Sequence, residues 1–379
     1  MIVDQTWNTV NEATKQHAGE IAVLNKDLTN TVDFGDSVIN VMGYDNYVKS
    51  LSDVIGKEKF VERKYSHLVP SVLKEKWEYG SILRKISGKI PEAQENETWK
   101  LRDGQSYPQD IFHQPAASQK LWNSKTTFMI PLSITRRQIK ESFKSGDDLA
   151  AFISMLYNNV EISQIDKEDG LTLDLIAAFA GAIINNAGAN VIHLITEYNT
   201  LFNQNVAITD APYDAEFLRY MFSRIKNVSG YMRRGSTIWN EGAEYRFTPS
   251  EKMHCVMLSL LKDNLGVYLY DANGQFNTSN LQLENVDSVP YWQGSGTGAN
   301  AYNINEMSKI DITTSEGTTT KVGVACVLFD HDAIAICNED KYVETTPYNA
   351  VASFYTDLFK FDCSYFVDTN ENGAVFLLD

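Results

Sequence analysis

The longest regular pattern of apolar and polar positions lies near the middle of the chain and predicts one long amphipathic helix over residues 145–186. Ser145, Asp147 and Asp148 supply acceptors for the unpaired amides of a helix start. Apolar residues then follow at helical spacing, interrupted once by a polar patch at 166–170: Leu149, Phe152, Ile153, Leu156, Val160, then Leu171, Leu175, Ile176, Phe179 and Ile183. About forty helical residues span roughly 60 Å. The alternative is two ordinary helices joined at Gly170, since glycine weakens a helix interior.

A pattern that is mostly of period two predicts a long strand over residues 352–366 with one aromatic face. The residues that fall mostly at this spacing are Phe354, Phe359, Phe361, Cys363 and Tyr365. A turn at 368–373 and a short strand at 374–378 follow. Residues 321–337 are rich in Val, Ala and Ile, which is typical of buried strands, with an interruption at 330–332. Residues 214–234 read as a capped amphipathic helix. The fold class predicted from this mixture is α+β.

Residues 79–132 combine two strand-like ends, 81–90 and 124–134, with a long polar middle. So long an excursion fits a projecting two-stranded loop that a neighbouring subunit completes. Its aromatic residues are the predicted anchors at a subunit interface: Trp99, Tyr107, Phe112 and Trp122. The alternative is a local β subdomain that folds on its own body.

Residues 1–54 mix polar residues with apolar runs that are too short for a core of their own, which predicts an arm that packs on a partner surface. The start of the sequence lacks the basic region and apolar core of a signal peptide, and no apolar run is long enough to cross a bilayer. The expected compartment is therefore the cytoplasm of a cell.

Charge is distributed unevenly along the 379 residues, whose formal net charge is −16. Residues 55–145 carry 17 Lys and Arg against 10 Asp and Glu, whereas residues 146–379 carry 13 against 31. Opposite charges on separate segments suit subunits that reach over one another. An acidic chain is a poor candidate for tight, non-specific DNA binding, because phosphate affinity comes from clustered cations.

Sequence signals for catalysis are weak. The segment GSGTGAN at 294–300 resembles a phosphate cradle but lacks a following Lys and the strand-to-helix context, so we interpret it as a surface loop. The triplet Asp330, His331, Asp332 predicts a turn between strands, with a metal or proton-transfer site as the alternative. His254 and Cys255 are neighbours in an apolar stretch and read as a buried pair. The four cysteines lack metal-ligand or redox spacing and are predicted to be reduced thiols. We therefore predict no enzyme activity, cofactor or metal.

The order of parts resembles the major capsid proteins of tailed bacteriophages with the Hong Kong 97 fold: an amino-terminal arm, a strand-flanked polar loop, a long helix, a mixed domain, a long strand and a short final strand. The resemblance implies the following division: arm and start of the peripheral domain at 1–78, extended loop at 79–132, peripheral domain with spine helix at 133–201, axial domain at 202–337, long peripheral strand at 338–368 and return strand at 369–379. The chain shows no coiled scaffolding segment to be cut away and no identifiable Lys–Asn cross-linking pair. A separate scaffolding protein, or none, is therefore implied.

The function implied by the resemblance is a major capsid protein that assembles as pentamers and hexamers into an icosahedral shell around double-stranded DNA. Its implied partners are other copies of itself, a portal protein, and scaffolding or decoration proteins, with assembly in the bacterial cytoplasm. Because packaged DNA must move, we expect the bulk of the DNA-facing surface to be neutral or acidic. Two other hypotheses are an encapsulin-like nanocompartment shell and a soluble metal-dependent hydrolase centred on Asp330, His331 and Asp332.

Overall fold

The computed structural model describes residues 7–8, 10–15, 23–57, 67–74, 83–88, 90, 100–106, 117–135, 137–138, 146–269, 285–293, 303–314, 317–351 and 353–379. The helices are α1 (Thr31–Lys57), α2 (Gly146–Asn186), α3 (Leu194–Phe202), α4 (Ala215–Met232), α5 (Ser259–Leu269) and α6 (Ile304–Met307). The first strands are β1 (Leu73–Lys74), β2 (Leu83–Gly88), β3 (Ala117–Trp122), β4 (Lys125–Thr135), β5 (Val191–His193), β6 (Met253–Leu258) and β7 (Val286–Val289). The remaining strands are β8 (Ile310–Thr314), β9 (Gly317–Lys321), β10 (Val324–Asp330), β11 (Ile334–Thr345), β12 (Phe354–Val367) and β13 (Gly373–Leu377).

The chain divides into two compact units, each made of three segments. The first unit comprises residues 1–78, 125–174 and 336–365, and the second comprises 79–124, 175–335 and 366–379. Within the described part of the chain, none of the helices combines the length and the apolar character that a bilayer crossing needs.

A four-stranded sheet of order β1-β11-β12-β4 forms the framework of the first unit. Strand β12 pairs antiparallel with β4 from Phe354 opposite Thr135 to Ser364 opposite Lys125. The predicted long aromatic strand is thereby confirmed. The alternating burial of β12 places Tyr355 and Phe359 in the core, as the period-two pattern requires.

The amino-terminal residues contribute to this same core, so the prediction of an arm that packs on a partner is wrong for the part described. Leu24, Phe34, Val38, Tyr47 and Leu51 are buried in one cluster with residues of α2, β4 and β12. Gly43, with a φ of 74°, bends α1 and lets both halves of the helix supply buried side chains. The apolar residues of the amino-terminal segment are too sparse for a separate core but sufficient to complete the core of the first unit.

Helix α2 is continuous over 41 residues, which confirms the single-helix prediction and excludes a break at Gly170. In the first unit, two carboxylates of the polar patch are buried rather than solvated: Glu168 and Asp169 are 1% and 6% exposed. His67 Nδ1 lies 3.1 Å from an Asp169 carboxylate oxygen, and His67 Nε2 lies 3.4 Å from Glu168. The Leu68 amide also donates to Asp169 at 3.3 Å. These partners offset the cost of burying two carboxylates.

We expect His67→Ala to destabilise the first unit by about 2 kcal/mol, because two buried carboxylates lose the ring that faces them. The melting temperature should fall by roughly 4–8 °C in differential scanning calorimetry. His67→Gln, which keeps one amide donor, serves as the matched variant and should lose about half as much. Equal melting temperatures for wild type and His67→Ala would show that partners other than His67 satisfy these carboxylates.

A five-stranded sheet of order β5-β13-β10-β6-β7 forms the centre of the second unit. Strand β10 is buried along its whole length between the antiparallel neighbours β13 and β6. The carboxyl-terminal end of α2 packs here through Phe179, whose ring is 6.2 Å from that of Phe329. A Cβ at Gly373 would lie 2.4 Å from the Phe179 ring, so β13 needs glycine at this position. Helix α4 has the predicted cap, with the Asp214 carboxylate accepting from the Glu216 and Phe217 amides at 2.9 Å.

Strand β2 pairs with β3, which lies in the predicted polar middle of the loop, and not with residues 124–134. The latter form β4 and pair with β12. Strand β3, ASQKLW, carries Ser118, Lys120 and Trp122 on one face, so neither face is consistently apolar and its strand character depends on contacts that its own composition does not reveal.

Candidate functional site

The β2–β3 hairpin presents two different faces, because successive side chains of a strand point to opposite sides. Lys85, Ser87, Ser118, Lys120 and Trp122 lie on the partly buried inner face. The exposed outer face carries Arg84, Ile86, Gly88, Ala117, Gln119 and Leu121. This division defines the candidate site: an inner face that holds the hairpin to its own unit and an outer face that remains open.

Two lysines face each other directly across the hairpin, since Lys85 pairs with Lys120 in the antiparallel register. Like charges in directly opposed positions destabilise a β-ladder. The carboxylate of Asp368 lies between them, with one oxygen 2.8 Å from Lys85 Nζ and the other 2.8 Å from Lys120 Nζ. The Asp368 carboxylate therefore explains why two lysines can face each other at this position of the hairpin.

Further contacts extend this arrangement into an anchor cluster, which we define as Lys85, Lys120, Asp368 and Glu371. Lys85 Nζ lies 2.5 Å from a Glu371 carboxylate oxygen and donates to the Asp332 carbonyl at 3.1 Å. Arg246 Nη1 donates to the same Glu371 carboxylate. The hairpin is thus tied to the turns that precede β11 and β13.

Asp368 is buried, and its side chain is only 2% exposed. Burial raises the pKa of this carboxyl, but hydrogen bonds from Lys120 and Lys85 outweigh burial and hold the pKa below its usual range. The Asp368 carboxylate therefore stabilises the fold at every pH above its unfolded-state pKa of about 4. This contribution is lost as the pH falls through the lower, folded-state pKa.

Trp122 packs within its own subunit, where its ring centroid lies 5.1 Å from that of Phe366. Its predicted role as an anchor on a neighbouring subunit stays a prediction, and the observed contact instead assigns it to the inner face. Trp99, Tyr107 and Phe112, the other predicted anchors, lie outside the described residues.

The outer face carries apolar side chains that sequence reasoning missed. Ile86 and Leu121 are 60% and 59% exposed and occupy diagonal positions, since Ile86 pairs with Gln119 and Leu121 with Arg84. Beside the hairpin lies an open groove of about 440 Å³ whose lining includes Ile90, Tyr245 and Phe247, each more than half exposed. The alternation of β2 is the sequence signal that could have identified Ile86.

The triplet at residues 330–332 forms the predicted turn between β10 and β11. Asp330 is buried, accepting from Thr248 Oγ1 at 2.7 Å and from the Asp332 amide at 2.9 Å. The fold brings His254 Nε2 within 3.0 Å of His331 Nδ1, a pairing that the sequence did not predict. Among the described residues, no group of three or more His, Cys, Asp or Glu side chains is placed to hold a metal ion. Residues 294–300, the glycine-rich segment, lie outside the described residues.

Comparison with known families finds one sequence match that covers nearly the whole chain. The model of the family described as Phi29-like phage major capsid protein matches residues 8–377. Comparison with curated protein sequences finds no match.

Solved structures similar to this one include several from phages. One described as the capsid structure of Staphylococcus phage Andhra shares 12% identity over 84% of this chain and 88% of that chain, with a TM-score of 0.50. A structure from Mycobacterium phage Cain shares 9% identity over 84% of this chain and 92% of that chain, with a TM-score of 0.47. At such low identity the first likeness shows a shared fold.

Proposed function

Because this chain belongs to the Phi29-like phage major capsid protein family, we propose that its subunits assemble as pentamers and hexamers into an icosahedral shell that encloses double-stranded DNA. The chain is a structural component of the phage capsid with the α+β Hong Kong 97-like fold. Family membership favours this role over the encapsulin-like nanocompartment. The hydrolase hypothesis is less favoured, because both oxygens of the Asp330 carboxylate already accept hydrogen bonds, one from Thr248 Oγ1 and one from the Asp332 amide.

The observation that carries the proposal is the two-faced hairpin. A hairpin that served only its own subunit would expose polar residues on its outer face, but here Ile86 and Leu121 form an exposed apolar pair. Burial of such a pair on a neighbouring copy gains the hydrophobic free energy that drives association. The anchor cluster fixes the direction of the hairpin and reduces the ordering cost of that contact.

The stability of such a shell comes from the repetition of one modest contact around a closed lattice, and it requires neither a catalytic site nor a cofactor. Each subunit both offers its hairpin and receives that of another copy, which is the head-to-tail arrangement that generates rings. A portal protein and scaffolding or decoration proteins complete the proposed partners, and the particle is assembled in the host cytoplasm. The net charge of −16 supports weak and not tight binding of the enclosed DNA.

Sedimentation velocity of the purified full-length chain, alone and with its neighbouring phage gene products, tests the proposal. We expect species of five and six subunits together with shell-sized particles, and nuclease-protected DNA in particles recovered from infected cells. A persistent monomer or dimer under both conditions would contradict assembly. Shells that protect no DNA when recovered from infected cells would contradict only the genome-enclosing part.

A further inference from the structure

Two histidines that lie 77 residues apart in sequence face each other in the second unit. His254 Nε2 lies 3.0 Å from His331 Nδ1, and the two ring centroids are 5.1 Å apart. The strand register brings them together, because Phe329 of β10 pairs with His254 of β6 and His331 follows two residues later, at the start of the turn. The His331 amide also donates to the Lys252 carbonyl at 2.7 Å, which fixes the backbone of the turn. We call His254 and His331 the histidine latch.

The hydrogen bond between the two rings limits the number of protons that the histidine latch can hold. Such a bond needs one N–H and one lone pair, and a neutral imidazole ring has one of each. The bond therefore forms when both rings are neutral, and it is stronger when one ring is protonated, because a charged donor binds more tightly. When both rings are protonated, both facing nitrogens carry hydrogen and no lone pair remains. Repulsion between two cations then replaces the bond.

Burial increases the cost of the second proton. His254 is only 9% exposed, and its ring lies against that of Phe329 with the centroids 6.0 Å apart. Little water can therefore screen two positive charges at the distance of a hydrogen bond, so their repulsion is much larger than between exposed side chains. His331 is partly exposed, so the histidine latch can exchange protons with solvent.

The charged groups on the segments that contact the turn balance one another. Asp330 and Asp332 flank His331, Lys252 immediately precedes β6, and Lys85 contacts the turn from the hairpin. Lys252 Nζ lies 3.6 Å from an Asp332 carboxylate oxygen. Both oxygens of the Asp330 carboxylate already accept hydrogen bonds. Two anions and two cations leave no net negative charge to compensate a second imidazolium.

We infer that the histidine latch is an acid-sensitive device that holds the turn between β10 and β11 against β6. The same turn supports the hairpin, since the Asp332 carbonyl accepts from Lys85 Nζ at 3.1 Å and the Ala333 carbonyl accepts from the Asp368 amide at 2.7 Å. Double protonation of the latch therefore weakens the base of the hairpin as well as the turn. The inference concerns the folded subunit and does not depend on shell assembly.

The sign of the pH dependence follows from counting protons. In the unfolded chain both histidines take up protons below about pH 6.5, whereas the folded latch accepts its second proton only at lower pH. The unfolded state then binds more protons than the folded state, so stability falls as the pH falls. For one missing proton, the folding equilibrium constant falls by up to about tenfold per pH unit below 6.5. This loss ends where the folded latch takes up the second proton and opens.

The test compares melting temperatures of wild type and His331→Gln, as unassembled full-length chains, between about pH 8 and about pH 5. The variant keeps a polar side chain opposite His254 but removes one of the two titrating rings. Wild type should be the more stable protein at the upper pH, and its advantage should shrink by roughly 2–4 °C per pH unit below about 6.5. Hydrogen exchange of peptides covering residues 328–336, corrected for the intrinsic rate, should accelerate more in wild type than in the variant over the same range.

The matched control is His193→Gln, which removes a histidine whose Nδ1 lies 2.5 Å from an Asp379 carboxylate oxygen. The advantage of wild type over this control should not shrink as the pH falls, because a carboxylate and not a second imidazole faces the ring. A double-mutant cycle of His331→Gln with His254→Gln should show stabilising coupling at the upper pH and none at the lower pH. An advantage over His331→Gln that stays constant across the pH range would overturn the inference, and so would equal shrinkage for His331→Gln and His193→Gln.

Discussion

Replacing Asp368 with Asn is expected to release the base of the hairpin and to lower the free energy of unfolding by about 3 kcal/mol. Breaking a buried charge pair costs about this much because the remaining charges stay desolvated without a partner. Here two opposed cations, Lys85 and Lys120, would lose the carboxylate between them. The melting temperature should fall by roughly 6–12 °C, and amides of β2 and β3 should exchange with deuterium faster.

Two controls make this prediction specific to the anchor cluster. Glu251→Gln removes an exposed carboxylate of the same unit and should change neither the melting temperature nor the amide exchange of β2 and β3. Adding Lys120→Met to Asp368→Asn should restore part of the lost stability, because one unpaired cation is removed. The stability advantage of wild type over Asp368→Asn should begin to shrink as the pH falls below about 4, where Asp368 of the unfolded chain takes up a proton, and should be lost as the pH falls through the lower pKa of the folded state. If Asp368→Asn left the melting temperature and the amide hydrogen exchange of β2 and β3 unchanged, Asp368 would not anchor the hairpin.

Placing carboxylates on the outer face is expected to abolish assembly while leaving the subunit folded. In the double variant Ile86→Asp with Leu121→Asp, each interface would bury two charges against an apolar surface, which is strongly unfavourable. The yield of shells should fall by at least tenfold, measured by sedimentation. Circular dichroism and the melting temperature of the unassembled subunit should match wild type within about 2 °C, since both positions are exposed.

Gln119→Asp provides the matched control, because Gln119 lies on the same face and is already polar. It adds charge without removing an apolar contact and should reduce the yield only slightly. Wild-type yield from the double variant would show that the outer face of the hairpin is not an interface.

Local periodicity predicted the long elements well. The 41 residues of α2 and the 14 residues of β12 carry repeats long enough to define type and position almost to the residue. The polar patch in α2 has a role that periodicity cannot predict, because His67, distant in sequence, faces Glu168 and Asp169. Similarly, the apolar run at residues 253–261 does not by itself distinguish a strand from a helix, and it contains the whole of β6 and the start of α5.

The candidate site was harder to predict than the fold, because its key contacts join distant segments. Lys85 and Lys120 look like ordinary surface charges until Asp368 is placed between them. This is also why β3 was missed and why the contact of Trp122 with Phe366 was not predicted. The arm was misread for a related reason, since the core that Phe34 and Leu51 complete is formed by later parts of the chain.

The central claim, that the outer face of the hairpin contacts a neighbouring subunit in the shell, is tested most directly by cross-linking at Leu121. All four native cysteines are buried, so Leu121→Cys provides an exposed thiol for a benzophenone maleimide. After irradiation, we expect covalent dimers and higher multimers on a denaturing gel from assembled shells and none from unassembled subunits. Labelled shells that yield only monomers after irradiation would contradict the claim.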